Sequence, residues 1–205
     1  MRVIILAAGK GERLMPLTNN TPKSLLELAN GTSVLESQLL SIHEAGIREV
    51  AIVTGYLTEQ IEAKINKYSG EYGIEFQIIF NPFYDVSNNL ISLWQAKHYM
   101  NEDFIIINGD DIFKDSVIKG LVSQDTSQQL CMVIDRKNSY DQDDMKLIIE
   151  KDNILKIGKQ LPEKEANGES IGMIRLIGDG KEWVVKTMEK MVRKKENINV
   201  FYLEI

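Results

Sequence analysis

Close to the amino terminus, Gly9 and Gly11 are interleaved with charge and followed by Arg13 and by the pair Pro22-Lys23. Ala7, Ala8, Gly9 and Gly11 carry almost no side chain, so their backbone N–H groups can approach an anion closely. Lys10, Arg13 and Lys23 can neutralise it, Arg13 with a planar fork and Lys23 as a point charge. A polyphosphate suits that combination. The stretch is not G-x-x-x-x-G-K-[ST], because no Lys-Ser or Lys-Thr follows the second glycine, and Leu14 occupies the third glycine position of G-x-G-x-x-G. A second group, Asn108-Gly109-Asp110-Asp111, follows the apolar run Phe104–Ile107. A carboxylate just past a buried strand can hold Mg²⁺ against phosphate oxygens, and this ion needs only one or two protein carboxylates. Asn88 and Asn89 form a third group: one amide can support a helix cap, and the other offers a donor and an acceptor to a ligand. Finally, Tyr140 stands beside Asp141, Asp143 and Asp144. Aromatic faces with nearby carboxylates suit a quaternary ammonium group, although a charged loop is more often simply solvated.

The elements that must position these groups alternate. Apolar runs at Val3–Leu6, Val50–Val53, Glu75–Phe80, Phe104–Ile107 and Leu130–Ile134 read as strands. A helix capped by Thr32 or Ser33 runs to about Ala45, and one capped by Thr58 covers Glu59–Tyr68 and stops at Gly70 and Gly73. Ser87 caps a third helix reaching about Met100, and Asp115 or Ser116 starts a fourth through Leu121. Met145–Ile149 and Ile154–Ile157 read as a hairpin turning at Asp152-Asn153, with a further strand around Ile171–Ile174. Glu182–Arg193 is amphipathic, with Trp183, Val184, Val185, Met188, Met191 and Val192 on its apolar face. Strand–helix alternation implies parallel pairing, and ligands then bind at the carboxyl ends of the strands. The first loop and Asp110 both fall there, as does Gly55-Tyr56, which could lie beside a base or ribose.

The chain has 205 residues and a net charge of −6, with a pI near 5.1. One domain is the default at that length, and the acidic balance argues against a nucleic-acid surface. No apolar run reaches a membrane span, and no cleavable signal segment is evident. Cys131 reads as a small buried hydrophobe, and one cysteine suits a reducing cytoplasm. His43 and His98 are far apart, which speaks against zinc.

Taken as a whole, Leu-Ala-Ala-Gly-x-Gly-x-Arg-Leu followed by Pro-Lys resembles the nucleotidyltransferases that join a sugar phosphate or phosphocholine to a nucleoside monophosphate. The resemblance implies a three-layer, Rossmann-like α/β fold with a mostly parallel sheet and a small β excursion around residues 145–175. It implies that Leu6, Ala7, Ala8, Gly9, Lys10, Gly11, Glu12 and Arg13 wrap the triphosphate, with Arg13 and Lys23 on phosphates and Asp110 on the metal. Asn-x-x-Tyr-x-x-x-Asn-Asn-x-x-Ser-Leu, starting at Asn81, is similar to the phosphocholine and phosphonate cytidylyltransferase branch, and gives Asn89 and Ser92 binding roles. The Lys-Ile-Gly-Lys and Gly-Glu-x-Ile-Gly pieces resemble that branch too, so Lys146, Lys159 and Glu169 join Asn89, Tyr140 and Asp144 as acceptor candidates. The reaction so implied moves CMP from CTP to a phosphorylated or phosphonylated small acceptor. Two alternatives stand: a sugar-1-phosphate or inositol phosphate acceptor with UTP, dTTP or CTP, and a nucleotide-binding regulatory module without turnover. Relatives continue into an acidic Glu-x-Asp motif with a second metal carboxylate, and nothing after Asp110 in this chain matches it.

Overall fold

The computed structural model describes residues 1–205. Eight strands and five helices succeed one another as β1 (Arg2–Ala7), α1 (Val34–Glu44), β2 (Glu49–Thr54), α2 (Thr58–Tyr72), β3 (Glu75–Phe80), α3 (Asn89–Gln95), β4 (Phe104–Asn108), α4 (Asp115–Val122), β5 (Leu130–Asp135), β6 (Lys146–Glu150), β7 (Asn153–Gly158), β8 (Gly168–Leu176) and α5 (Gly178–Val192). They form one sheet of order β3-β2-β1-β4-β8-β6-β7, with β5 on the other edge of β8. β3, β2, β1 and β4 pair in parallel.

Alternation along each strand fixes the layers. In β1, Val3, Ile5 and Ala7 join one core with α1, α2 and α4, while Ile4 and Leu6 join a second with α3 and α5. β2 and β4 divide in the same way, with Val50, Ile52, Ile105 and Ile107 on one face and Ala51, Val53, Phe104 and Ile106 on the other. Strands covered on both faces must be apolar throughout, which is why these three read as continuous runs. The fold is therefore the expected three-layer α/β arrangement.

The sheet departs from a parallel one at β8. This strand lies between β4 and β5, antiparallel to both. Its carboxyl half, Met173–Leu176, pairs with β4, and its amino half, at Gly168 and Glu169, pairs with β6. The two halves meet near Gly172, whose φ is 80°. A Cβ there would lie 1.8 Å from Asn108 Nδ2, so only glycine fits both the conformation and the space. The β6–β7 hairpin is thereby carried past the carboxyl end of β4.

Several local expectations need correction. α2 starts at Thr58 itself and runs through Gly70 to Tyr72, with Gly73 in the left-handed region as its stop. Thr58 Oγ1 donates to Thr54 Oγ1 instead of capping. α3 is capped by Asn88, whose side chain accepts from the Asn89 N–H, while Ser87 Oγ donates to the Phe83 carbonyl. The hairpin turns at Lys151-Asp152, with φ values of 48° and 67°, the mirror-image geometry that two-residue hairpins favour. Trp183 is 54% exposed and leaves the α5 core to Val184 and Met188. Cys131 is half-buried, because β5 has no strand beyond it. No helix is long and apolar enough to cross a membrane.

α1 begins with Ser-x-x-Glu, a capping-box sequence. Ser33 Oγ accepts from the Glu36 N–H at 3.1 Å, but the Glu36 carboxylate turns away to accept from Tyr72 and Tyr68 on α2. Ser33 is thus the sole side-chain cap of a helix whose Gln38 anchors the exit of β4. Ser33→Ala is expected to lower stability by about 1 kcal/mol, seen as a lower urea midpoint at unchanged slope. An unchanged midpoint would mean that the cap contributes nothing.

Candidate active site at the ends of β1 and β4

The chain runs from β1 to β2 on one side and later enters β4 on the other. The carboxyl ends of β1 and β4 therefore part at a topological switch point, the usual place for a ligand crevice in open α/β sheets. A cleft of about 680 Å³ opens there. Its floor is Leu6, Ala7, Ala8 and Gly9 from β1 and Asn108, Gly109, Asp110 and Asp111 from β4. The Gly109 N–H donates to the Leu6 carbonyl at 2.8 Å, and a Cβ on Gly109 would lie 2.7 Å from that oxygen. Gln38 holds the β4 side from below, its Nε2 donating to the Asn108 and Asp111 carbonyls at 2.9 and 2.8 Å.

The Gly9–Arg13 loop has the geometry its glycines suggest. Gly11 has a φ of 66°, and a Cβ there would lie 3.0 Å from Thr18 Cγ2 and 3.2 Å from Lys23 Cβ. Gly9 differs: a Cβ would meet nothing within 4 Å, so the bare backbone leaves room for a ligand without serving the packing. Leu6, Ala7, Ala8, Gly9, Gly11, Arg13 and Lys23 all line the cleft. Lys10 and Glu12 do not. The Lys10 ammonium pairs with Asp85, whose hydrogen bond raises its pKa. The Lys23 ammonium reaches across and pairs with the Asp110 carboxylate.

Gly55 and Tyr56 are expected at a base or ribose, and the structure gives them another task. A Cβ on Gly55 would lie 2.5 Å from Tyr84 Cβ and 2.7 Å from the Ala8 carbonyl. The Tyr56 N–H donates to that carbonyl at 3.0 Å, and its hydroxyl donates to the Asn19 carbonyl at 2.6 Å. The pair braces the turn after β1 from behind, and Tyr84 lines the cleft in their place. Asn89 and Ser92 do line it. Asn89 Oδ1 accepts from the Tyr202 N–H, leaving its NH₂ group, while the buried Ser92 hydroxyl accepts from Asn81 Nδ2.

At the opposite wall the acceptor candidates separate. Asp144, Lys159 and Glu169 line the cleft, together with Asp143. Tyr140 does not: it is 7% exposed, and its hydroxyl oxygen accepts from the Lys137 N–H. Lys146 is also outside, its ammonium turned to the Asp141 carbonyl. Lys137, which no motif in the sequence marks, holds the wall together at 2.7 Å from Glu169 and 3.1 Å from Asp144. Glu169 and then Asp144 raise the pKa of that lysine. Burial, and then the neighbouring Asp144, push the Glu169 carboxyl up against the pull of Lys137. Burial would raise Asp144 as well, but the Asp141 N–H and Lys137 outweigh it and hold it low.

Phe201 and Leu203 close the cleft from a segment of short 3₁₀ turns. Between them Tyr202 points inward, donating its hydroxyl to the Gly172 carbonyl at 3.2 Å. No sequence signal marks Phe201 or Leu203, because their place depends on contacts with residues distant in the chain. Asp111 is the other surprise. Its Oδ2 is buried without a hydrogen-bond partner. Burial first, and then the charge of Asp110, push its carboxyl up to about 8, with Lys23 and the Asn108 backbone pulling the other way.

Comparison with known proteins agrees with this fold. The chain is 32% identical over 142 residues to the CTP:phosphoglutamine cytidylyltransferase of Campylobacter jejuni, covering 66% of this chain and 53% of that protein. It is 37% identical over 114 residues to the choline-phosphate cytidylyltransferase of Streptococcus pneumoniae, covering 56% and 47%. The matches thus span about half the length of these curated relatives. Among solved structures, the CTP:phosphocholine cytidylyltransferase of Streptococcus pneumoniae superposes with a TM-score of 0.75 at 24% identity, over 99% of this chain and 82% of that one. The inositol-1-phosphate CTP transferase of T. maritima gives 0.79 at 20%, over 98% and 78%. These two likenesses establish the fold. The model of the nucleotidyl transferase family matches residues 2–142, well over half of the chain and including both the Gly9–Arg13 loop and Asp110, and the chain belongs to that family.

Proposed function

We propose that this chain transfers CMP from CTP to a small phosphorylated or phosphonylated acceptor of the phosphocholine kind and releases pyrophosphate. The observation that carries the reading is the meeting of Lys23 with Asp110 across one cleft, beside the open backbone of Gly9. The two sequence relatives above, a phosphoglutamine and a choline-phosphate cytidylyltransferase, suggest the cytidylyl group and the phosphorylated acceptor. A triphosphate-dependent reaction and a single cysteine suit the cytoplasm.

In this reaction an acceptor phosphate oxygen attacks the α-phosphorus in line. The new P–O bond forms as the bond to the β-phosphate oxygen breaks, and pyrophosphate departs on the far side. The attacking oxygen is already an anion, so no side chain need remove a proton. The protein has to position both substrates and neutralise charge. Backbone N–H groups along Ala8–Gly11 orient the triphosphate. Arg13 and Lys23 balance charge on the transferring and leaving phosphates, and Lys159 faces the acceptor.

Mg²⁺ fits the residues present. Asp110 already holds a cation in the form of the Lys23 ammonium, and the neighbouring Asp111 offers a buried oxygen without a partner. No third His, Cys, Asp or Glu joins them, which is consistent with an ion that completes its shell with water and phosphate. Held by Asp110, it would supply positive charge to the α-phosphate. Lys23 leaves Asp110 for the phosphates when the substrates enter.

Lys23→Ala is expected to lower turnover by about 10² to 10³ in a pyrophosphate-release assay with CTP and phosphocholine. Unchanged release would remove Lys23 from the reaction. Phosphocholine, 2-aminoethylphosphonate and glucose-1-phosphate in competition identify the acceptor. A rise in melting temperature with CTP but no pyrophosphate from any acceptor would instead mark a binding module.

Asp111 makes a pH prediction. Its folded pKa lies above the unfolded value of 3.8, so the native state binds the extra proton and loses stability as pH rises from about 4 to about 8. In EDTA and without nucleotide, Asp111→Asn is expected to melt above the parent at pH 8, with the gap closing at pH 4. A gap of the same size at both pH values would show that ionisation of the buried carboxyl is not its cause.

A further inference from the structure

A second cavity, of about 620 Å³, lies where β7 leaves the hairpin and is lined by Gln142, Lys146, Lys159, Gln160, Glu163 and Lys164. Its charge is unusual for a chain of net charge −6: three lysines face one glutamate. Lys146 is the telling residue. It is 1% exposed, and its ammonium donates to a single acceptor, the Asp141 carbonyl at 2.6 Å. The register places Glu169 directly across from it, but that carboxylate is taken by Lys137. The Asp141 carboxylate is also engaged, accepting from the Asp143 and Asp144 N–H groups. Lys146 forms no ion pair, whereas Lys137 and Lys159 both do. A buried ammonium normally has a counter-charge and uses its three donors. Lys159 is only loosely engaged: the nearest carboxylate, Asp143, stands at 3.6 Å, beyond hydrogen-bond length.

We infer that this cavity is a second anion site, separate from the triphosphate loop, which takes a small oxyanion such as a phosphate, phosphonate or carboxylate group. Lys146 and Lys164 hold the anion and Lys159 couples it to the main cleft, where the same ammonium lies 4.8 Å from the centre of the Phe201 ring. An anion in the second cavity draws Lys159 away from Asp143, and so away from the partner of Arg13. The oxyanion is either a distal group of the acceptor reaching past Lys159 or a free ion. The site itself does not depend on the transfer reaction proposed above.

The probe is inorganic phosphate, titrated calorimetrically into the full chain and its variants in the absence of nucleotide. Lys146→Met is expected to weaken the binding by about tenfold or more, the scale of one charge-assisted hydrogen bond. Lys164→Glu, at an exposed position, is expected to weaken it too, and covers the case in which Lys146→Met disturbs the hairpin. Lys23→Ala is expected to leave this binding in place, since it alters only the main cleft. Repeating the titration with phosphoserine and phosphocholine separates the sources. A Lys164→Glu penalty that appears with phosphoserine but not with phosphocholine points to a group on the acceptor. Phosphate binding that persists beside saturating phosphocholine points to a free ion. Absence of phosphate binding to the parent, or binding lost in Lys23→Ala but intact in both Lys146→Met and Lys164→Glu, would overturn the inference.

Discussion

β1 and β4 lie side by side and leave the sheet at the same level, with the Gly109 N–H bonded to the Leu6 carbonyl and no room for a Cβ between them. Everything chemical in this molecule hangs on that seam. It fixes the separation between the glycine loop after β1 and Asp110, and a small shift in register would part Lys23 from its carboxylate. The apolar cores on both faces hold the two strands in place, so the packing of Ile4, Ile5, Ile105 and Ile106 sets the precision of a site that none of them touches.

β8 has a comparable role on the opposite wall of the cleft. A fully parallel sheet would have left the carboxyl end of β4 open. By running antiparallel beside β4 and bending at Gly172, β8 brings Glu169 and Ser170 over the cleft and carries the β6–β7 hairpin with it. One strand thus serves both as a member of the central sheet and as a wall of the pocket. Conversion from the first role to the second requires the one residue without a side chain.

The legible parts of the sequence were those written in local chemistry. Continuous apolar runs named β1, β2 and β4, because burial on both faces leaves no polar option. Gly11, Arg13, Lys23 and Asp110 stand out in the sequence as the residue types an anion site at a strand end would use, and the structure brings all four to one cleft. Less legible were residues whose place depends on partners distant in the chain. Gly55 and Tyr56 look like ligand contacts in sequence, and only the proximity of Tyr84 and Ala8 shows them to be a brace. Lys137 reads as one charge in a polar loop until Glu169 and Asp144 close around it. Tyr140 and Lys146 pose the opposite difficulty: suitable side chains, one in the acidic loop and one at the start of β6, turned inward by hydrogen bonds that no spacing rule predicts.

The segment carrying Phe201, Tyr202 and Leu203 is held by three side chains near the cleft: Asn88 and Asn89 bond its backbone, and Tyr202 reaches the Gly172 carbonyl. Asn89 lines the cleft while its Oδ1 holds the Tyr202 N–H, so a single amide is shared between the pocket and the backbone that closes it. The polar lining of the pocket and the anchorage of one stretch of 3₁₀ backbone therefore rest on the same side chain.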